Sequence, residues 1–317
     1  MEKPHRQEYE DLLEKQEKEQ KEERKEFVNR AHGEALEDEK KISGLTSEIE
    51  KIKKGKTGEE IESRKFEEAE EILGEDFLGP DAVKSAFNIE MEEIPEIPFT
   101  KEELERAKEL NQQLILYVDK TPDGKPLTGE KLLELTDNKT ADGKKLLSPD
   151  WYKKEDFFTK EAPRAGWKLI SKETIPDSTS KNYVEQTEEI VSYLEGKVFK
   201  GESLPEEYQK AVDEFNAKKK ELKKLTNSNW QKAAAELENI EITKLTRETP
   251  IEVLYRLALN ERENKKRLLG NYTWTPRRSS IGGLVRVGDF DSHGVDVRNY
   301  EPDDSGDDLG VSFSRSF

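Results

Sequence analysis

All four tryptophans of this chain, Trp151, Trp167, Trp230 and Trp274, lie beyond residue 150, whereas about half of its first 80 residues are charged. That distribution constrains the fold more than any motif does. Aromatic side chains bury the largest area per residue, so a packed core has to be built mainly from the C-terminal half. Residues 1–80 carry 16 Lys and Arg against 25 Asp and Glu. So charged a segment has too little apolar surface to offset the entropy of folding into a globule of its own.

Residues 1–73 therefore read as a charged helical arm, rich in Glu, Lys, Gln and Arg. Leu36, Ile42, Leu45, Ile49 and Ile52 form a thin stripe whose 3- and 4-residue steps fit a short coiled-coil seam. Gly44 interrupts it, so it is either a seam for self-association or partner docking, or a solvated helix. Residues 74–99 read as a linker, punctuated by Gly74, Gly79-Pro80 and Ile94-Pro95-Glu96-Ile97-Pro98. Residues 100–163 read as a helix and a turn-rich connecting segment. Thr100 and Glu103 are spaced as a capping box, which predicts a helix to about Val118 with Leu104, Leu110, Leu114, Ile115 and Val118 on its buried face.

Asp119, Asp123, Gly124 and Glu130 stand at positions 1, 5, 6 and 12 of a loop with calcium-binding spacing. Pro122 stiffens that loop, Lys125 adds positive charge beside it, and it has no second loop to pair with. Thr121-Pro-Asp-Gly-Lys is echoed by Thr140-Ala-Asp-Gly-Lys, and Asp-Gly is good turn chemistry, so two turns are the expected outcome.

Residues 164–317 supply the better periodicities. Gly166 to Ile170 reads as a strand. Helices follow with Val184, Thr187, Val191 and Leu194 on one face, then from Pro205 with Tyr208, Val212, Phe215 and Leu222, then from Trp230 to Leu237. Thr249-Pro250-Ile251-Glu252 combines a capping residue, Pro at the first helical position and Glu at the third; Ile251, Leu254, Tyr255 and Ala258 stripe the helix it opens, and Gly270 is its natural stop. Beyond Gly270 the period changes to two. Short alternating runs at 284–290, 295–298 and 309–313 are bounded by Gly, Asp, Asn or Ser, with Asp291-Ser292-His293-Gly294 as a hairpin turn. The predicted class is α+β: a helical arm, then a C-terminal domain of helices and short antiparallel strands.

Composition narrows function. The chain has no Cys, which removes thiol chemistry, disulfides and Cys-based zinc sites. A net charge of -17 argues against nucleic acid and anionic lipid as partners. No apolar run reaches the roughly 18 residues of a membrane span, and the first residues lack a signal-peptide apolar stretch. A cytoplasmic address with no membrane insertion is expected. No Walker-type loop or nucleophile elbow is present in the sequence, and His5, His32 and His293 each lack a second nearby His, so no enzyme activity and no cofactor are expected.

The tail carries a resemblance. The Pro250-Ile-Glu-x-Leu254 helix start, Tyr272-x-Trp274-Thr275, the strand around Val285 to Phe290 and the closing Leu309-Gly-Val-Ser-Phe313-Ser-Arg315-Ser run resemble the C-terminal part of the bacterial C-type-lectin-like fold. That fold is shared by formylglycine-generating-enzyme-like domains, lectin-like adhesins and the variable proteins of diversity-generating retroelements. The wider chain resembles proteins of uncultured small-genome bacteria. Enzyme members of the fold use cysteines, so their oxidase chemistry is excluded here. The resemblance implies a lectin-like domain over 164–317 that acts as a binding protein, with a surface open to diversification. The contact set it points to is Arg286, Asp289, Asp291, Ser292, His293, Asp296, Arg298, Asn299, Tyr300, Asp303 and Asp304, short polar groups and Tyr of the kind that make adaptable contacts on a fixed scaffold. Residues alternate across a strand, so only every second of them shares a face. The expected partner is a protein or a small ligand. The alternative is a scaffolding protein that self-associates through residues 1–73.

Overall fold

The computed structural model describes residues 58–316. The chain divides into two units after Arg64, and the second holds both sheets. The proposed coiled-coil stripe, His5, His32 and most of the helical arm lie outside the described residues.

The architecture mixes helices with two small sheets. In chain order the elements begin with α1 (Gly58–Leu73), β1 (Phe77–Leu78), α2 (Pro80–Phe87), α3 (Lys101–Glu109), β2 (Gln112–Tyr117), α4 (Gly129–Leu135), α5 (Asp156–Thr159) and β3 (Gly166–Ser171). A helical stretch follows: α6 (Tyr183–Tyr193), α7 (Glu206–Ser228), α8 (Trp230–Asn239), α9 (Glu241–Thr246) and α10 (Pro250–Asn264). The chain closes with β4 (Tyr272–Arg278), β5 (Leu284–Asp291), β6 (Gly294–Tyr300), β7 (Leu309–Gly310) and β8 (Ser314–Ser316). One sheet runs β1-β2-β3-β8 and the other β6-β5-β4-β7. Among the described residues no helix is long and apolar enough to cross a membrane.

Two sequence expectations change. Residues 74–99 are not a linker. Gly79 and Pro80 are the N-cap and first residue of α2, which buries Ala82, Val83, Ala86 and Phe87 in the main core. Ile97 and Phe99 are buried too, and the Trp167 indole donates to the Pro95 carbonyl at 2.7 Å. Gly79-Pro80, read as linker punctuation, is helix punctuation here. Likewise the helix opened by the Thr100–Glu103 capping box stops at Glu109. Asn111, in the left-handed region at φ 56°, turns the chain into β2, buried along its whole length between β1 and β3. A strand buried on both faces shows no alternation, which is why Leu114, Ile115 and Val118 read as a helical stripe. The domain limit placed at residue 164 also moves, because residues from 69 onward share one apolar cluster with α10 and β5.

Several of the expected helices and strands hold, but of the run at 309–313 only Leu309–Gly310 forms a strand, and it pairs parallel to β4. β3, α6, α7, α8 and the start of α10 fall where the periodicities put them, though α10 ends at Asn264, with Lys265 as its C-cap in the left-handed region, ahead of Gly270. The two Asp-Gly-Lys segments form the same turn twice. Thr121 N donates to Lys125 O and Thr140 N to Lys144 O, at 2.8 and 2.9 Å, and each Thr hydroxyl bonds the Asp two residues on.

α10 is the axis of the unit. Every residue from Pro250 to Glu261 is buried, including charged ones that look solvent-facing in sequence. Glu252, Arg256 and Asn260 recur every four residues, so they share one stripe. Glu252 Oε1 accepts from Lys168 Nζ at 2.6 Å. The Arg256 guanidinium grips the Glu248 carboxylate at 2.9–3.1 Å, with both side chains at 0% exposure. Asn260 and Gln113 exchange amide hydrogen bonds of 2.7 and 2.9 Å. Buried charges persist only when paired and hydrogen-bonded, and this stripe holds α10 in register against β2 and β3.

Candidate functional site

The β4–β5–β6 hairpin sheet carries the residues singled out from sequence. Strand alternation divides it into two faces. Val285, Val287, Val295 and Val297 pack into the main core with α10. On the other face Tyr272, Trp274, Leu284 and Leu309 join the cluster formed with α6, α7 and α8. The register pairs Arg286 with Arg298, Leu284 with Tyr300 and Gly288 with Asp296, so Arg286, Asp296, Arg298 and Tyr300 lie on that second face beside Tyr272.

Arg286 is the centre of this group, and it is buried, 8% exposed. Its guanidinium lies between two rings, 4.1 Å from the centre of Tyr272 and 3.9 Å from that of Tyr300. Among the described residues its nearest paired carboxylate is Asp308 at 4.0 Å, and its Nε has no partner. The structure thus makes Arg286 a support under the face and leaves the contact to its neighbours. Asp296 Oδ2 accepts from the Tyr272 hydroxyl at 2.6 Å and from Arg298 Nε at 2.7 Å. Burial and the Asp296 hydrogen bond push the Tyr272 hydroxyl well above the usual phenol range. The same Asp296 hydrogen bond and charge make the Arg298 guanidinium hold its proton more firmly. Asp289, exposed at the bulge where β5 leaves register, reaches the Tyr272 hydroxyl at 3.3 Å. What is presented outward is Asp289, Asp296, Arg298 and Tyr300, on side chains braced from below.

The remaining candidates sit elsewhere. Asp291, Ser292 and His293 form the exposed turn between β5 and β6. Asp291 Oδ1 accepts from His293 N at 2.6 Å, its Oδ2 lies 2.9 Å from the ring Nδ1, and the His293 contacts hold the Asp291 carboxyl below the usual range. Asn299 belongs to the opposite face of β6, packed near Gly283. Asp304 caps a turn by accepting from Glu301 N at 2.9 Å, and Asp303 is exposed beside it. That acidic loop is tied to the start of α6, with Pro302 O and Gly306 O accepting from Tyr183 N and Ser180 N at 3.1 and 2.7 Å. Among the described residues no group of three or more His, Asp or Glu is placed to hold a metal ion. Tyr272 and Asp308 belong to the cluster but were not in the predicted set. The signal for Tyr272 was present, since it alternates with Trp274 on the strand paired to β5.

Comparison of the chain with protein-family models, with curated proteins and with solved structures finds no match. The geometry itself therefore carries the functional reading.

Proposed function

We propose that the protein is a non-catalytic binding protein that receives a protein or peptide ligand on the exposed β6 edge of the β4–β5–β6 sheet. The observation behind this is the Tyr272–Arg286–Tyr300 stack, which braces Asp289, Asp296, Arg298 and Tyr300 as a preorganised polar and aromatic platform. Preorganised side chains lose less entropy on association, and Tyr with adaptable polar groups is a composition suited to contact surfaces. The lectin-like reading of the scaffold draws support from two features. Helices precede a sheet of short strands in which β4, β5 and β6 are antiparallel, and the final strand β8 returns to pair with β3. A diversified surface would fit the same division: exposed polar positions change while Val285, Val287, Val295 and Val297 stay in the core.

The test is selection of peptides from a random display library against the immobilised full chain. Peptides that bind this face should lose binding to an Arg298→Ala/Tyr300→Ala variant. If the recovered peptides bind the variant as well as the parent, or none are recovered, the reading is wrong.

A further inference from the structure

A second site lies away from that face, at the start of α10. A cavity of about 280 Å³ there is lined by Arg164, Lys244, Arg247, Thr249, Arg277 and Glu161 among others. Four cations meet one carboxylate in a chain whose net charge is -17. Glu161 is already engaged, because Arg277 Nε donates to both its oxygens at 2.9 and 3.0 Å. Arg164 reaches the Lys244 carbonyl at 3.3 Å and shares Glu252 at 3.5 Å, but Glu252 is spent on Lys168.

Arg247 is the residue that lacks an explanation inside the fold. It is 1% exposed, and among the described residues no carboxylate pairs with it. Its guanidinium lies 3.9 Å from the ring centre of Tyr183, and Nη2 donates to Thr187 Oγ1 at 3.1 Å and to Tyr183 O at 3.4 Å. Among the described residues Nε and Nη1 have no partner, and Thr249, the capping residue of α10, also lines the cavity. Burial pushes the Arg247 guanidinium down from its ordinary value, yet an arginine keeps its proton in a protein. A buried positive charge without a counter-charge is costly. Thr249 is also the N-cap of the 15-residue α10, whose positive dipole end favours an anion at the same place.

We propose that this pocket binds a small tetrahedral oxyanion: inorganic phosphate, or the phosphate group of a small phosphomonoester. Guanidinium groups match phosphate oxygens in pairs, and the cavity lies below the usual 300–1,000 Å³ range of pockets for larger ligands. An anion seated there supplies the counter-charge that Arg247 lacks.

The test is calorimetric titration of the full chain, at about 0.15 M NaCl so that unspecific attraction is screened. Inorganic phosphate and phenyl phosphate are titrated separately, with added chloride as the ionic-strength control. Saturable binding is expected for at least one of the two, the tighter one identifying the free ion or the ester as the natural source. Arg164 and Lys244 are 58% and 41% exposed in their side chains, so an Arg164→Gln/Lys244→Gln variant keeps the fold. It should bind about tenfold or more weakly. Arg247→Met should abolish binding, and the double variant decides the matter if that protein does not fold. No saturable binding to the parent, a response that chloride reproduces, or equal binding by the double variant each overturns the proposal.

Discussion

The guanidinium of Arg286 rests 3.9 Å from the ring centre of Tyr300, so an exposed aromatic at the end of one strand covers a buried charge on its neighbour. This pair ties the strength of the hairpin to the residue offered for binding. Removing the ring with Tyr300→Ala should destabilise the protein by about 1–2 kcal/mol, the range of a partly desolvated cation–π contact. Arg298→Ala, which removes an exposed side chain, should cost about 0.5 kcal/mol or less. A double-mutant cycle with Arg286→Met in urea unfolding checks the pairing; coupling near zero would show that the stack does not brace the face.

Inside the core, Arg256 and Glu248 should behave as a unit. Arg256→Met leaves a carboxylate buried at 0% exposure, with the Tyr117 hydroxyl at 2.8 Å as its main remaining donor. The expected loss is about 3–5 kcal/mol. Glu248→Gln/Arg256→Met, with neither charge present, should lose clearly less than the sum of the single changes. Additive losses would count against the pairing.

Acid should act through Glu252. Burial by itself raises that carboxyl, but the Lys168 charge and hydrogen bond, the Arg164 charge and the Thr249 amide outweigh it and hold it at about 2. A folded value depressed from the ordinary 4.5 contributes stability that is full above about pH 4.5 and is lost as pH falls towards 2. The separation corresponds to roughly 3 kcal/mol. Glu252→Gln should therefore be less stable than the parent at neutral pH, with the gap closing between about pH 4.5 and 2. A gap that does not change over that window would refute the assignment.

Gly288 should tolerate no side chain. Its φ is +152°, and a Cβ there would lie 2.3 Å from the Asn271 carbonyl oxygen, which is backbone and cannot move aside cheaply. Gly288→Ala should cost about 2 kcal/mol or more, read as a lower thermal midpoint. Gly124→Ala is the comparison: φ is +76° but nothing stands within 4 Å of the added carbon, so only the conformational cost of about 1 kcal/mol is expected.

Much of this was legible in the sequence because the signals were local. Capping at Thr100 and Thr249 lies within a few residues of each helix start. The alternation of Val285, Val287, Val295 and Val297, set against Arg286, Asp296, Arg298 and Tyr300, follows from the pleat of the strand. The binding face was therefore half visible: which residues share it could be counted, but whether Arg286 reaches outward could not. That depends on Tyr272 and Tyr300 closing over it from two other strands.

The sequence by itself determined the helices with amphipathic stripes, the hairpin with its turn, the paired Asp-Gly-Lys turns and the lack of thiol chemistry. Only the tertiary structure decided the fate of segments whose environment is set by distant residues. Gln112–Tyr117 became a strand because Phe77–Leu78 and Gly166–Ser171, both far off along the chain, pair with its two edges. Glu252, Arg256 and Asn260 of α10 were buried because Lys168, Glu248 and Gln113 satisfy them. Arg247 was buried over the Tyr183 ring with no carboxylate partner among the described residues. Periodicity reports the polarity of side chains, whereas burial depends on whether a partner arrives from elsewhere in the chain, and that is fixed only when the chain has closed on itself.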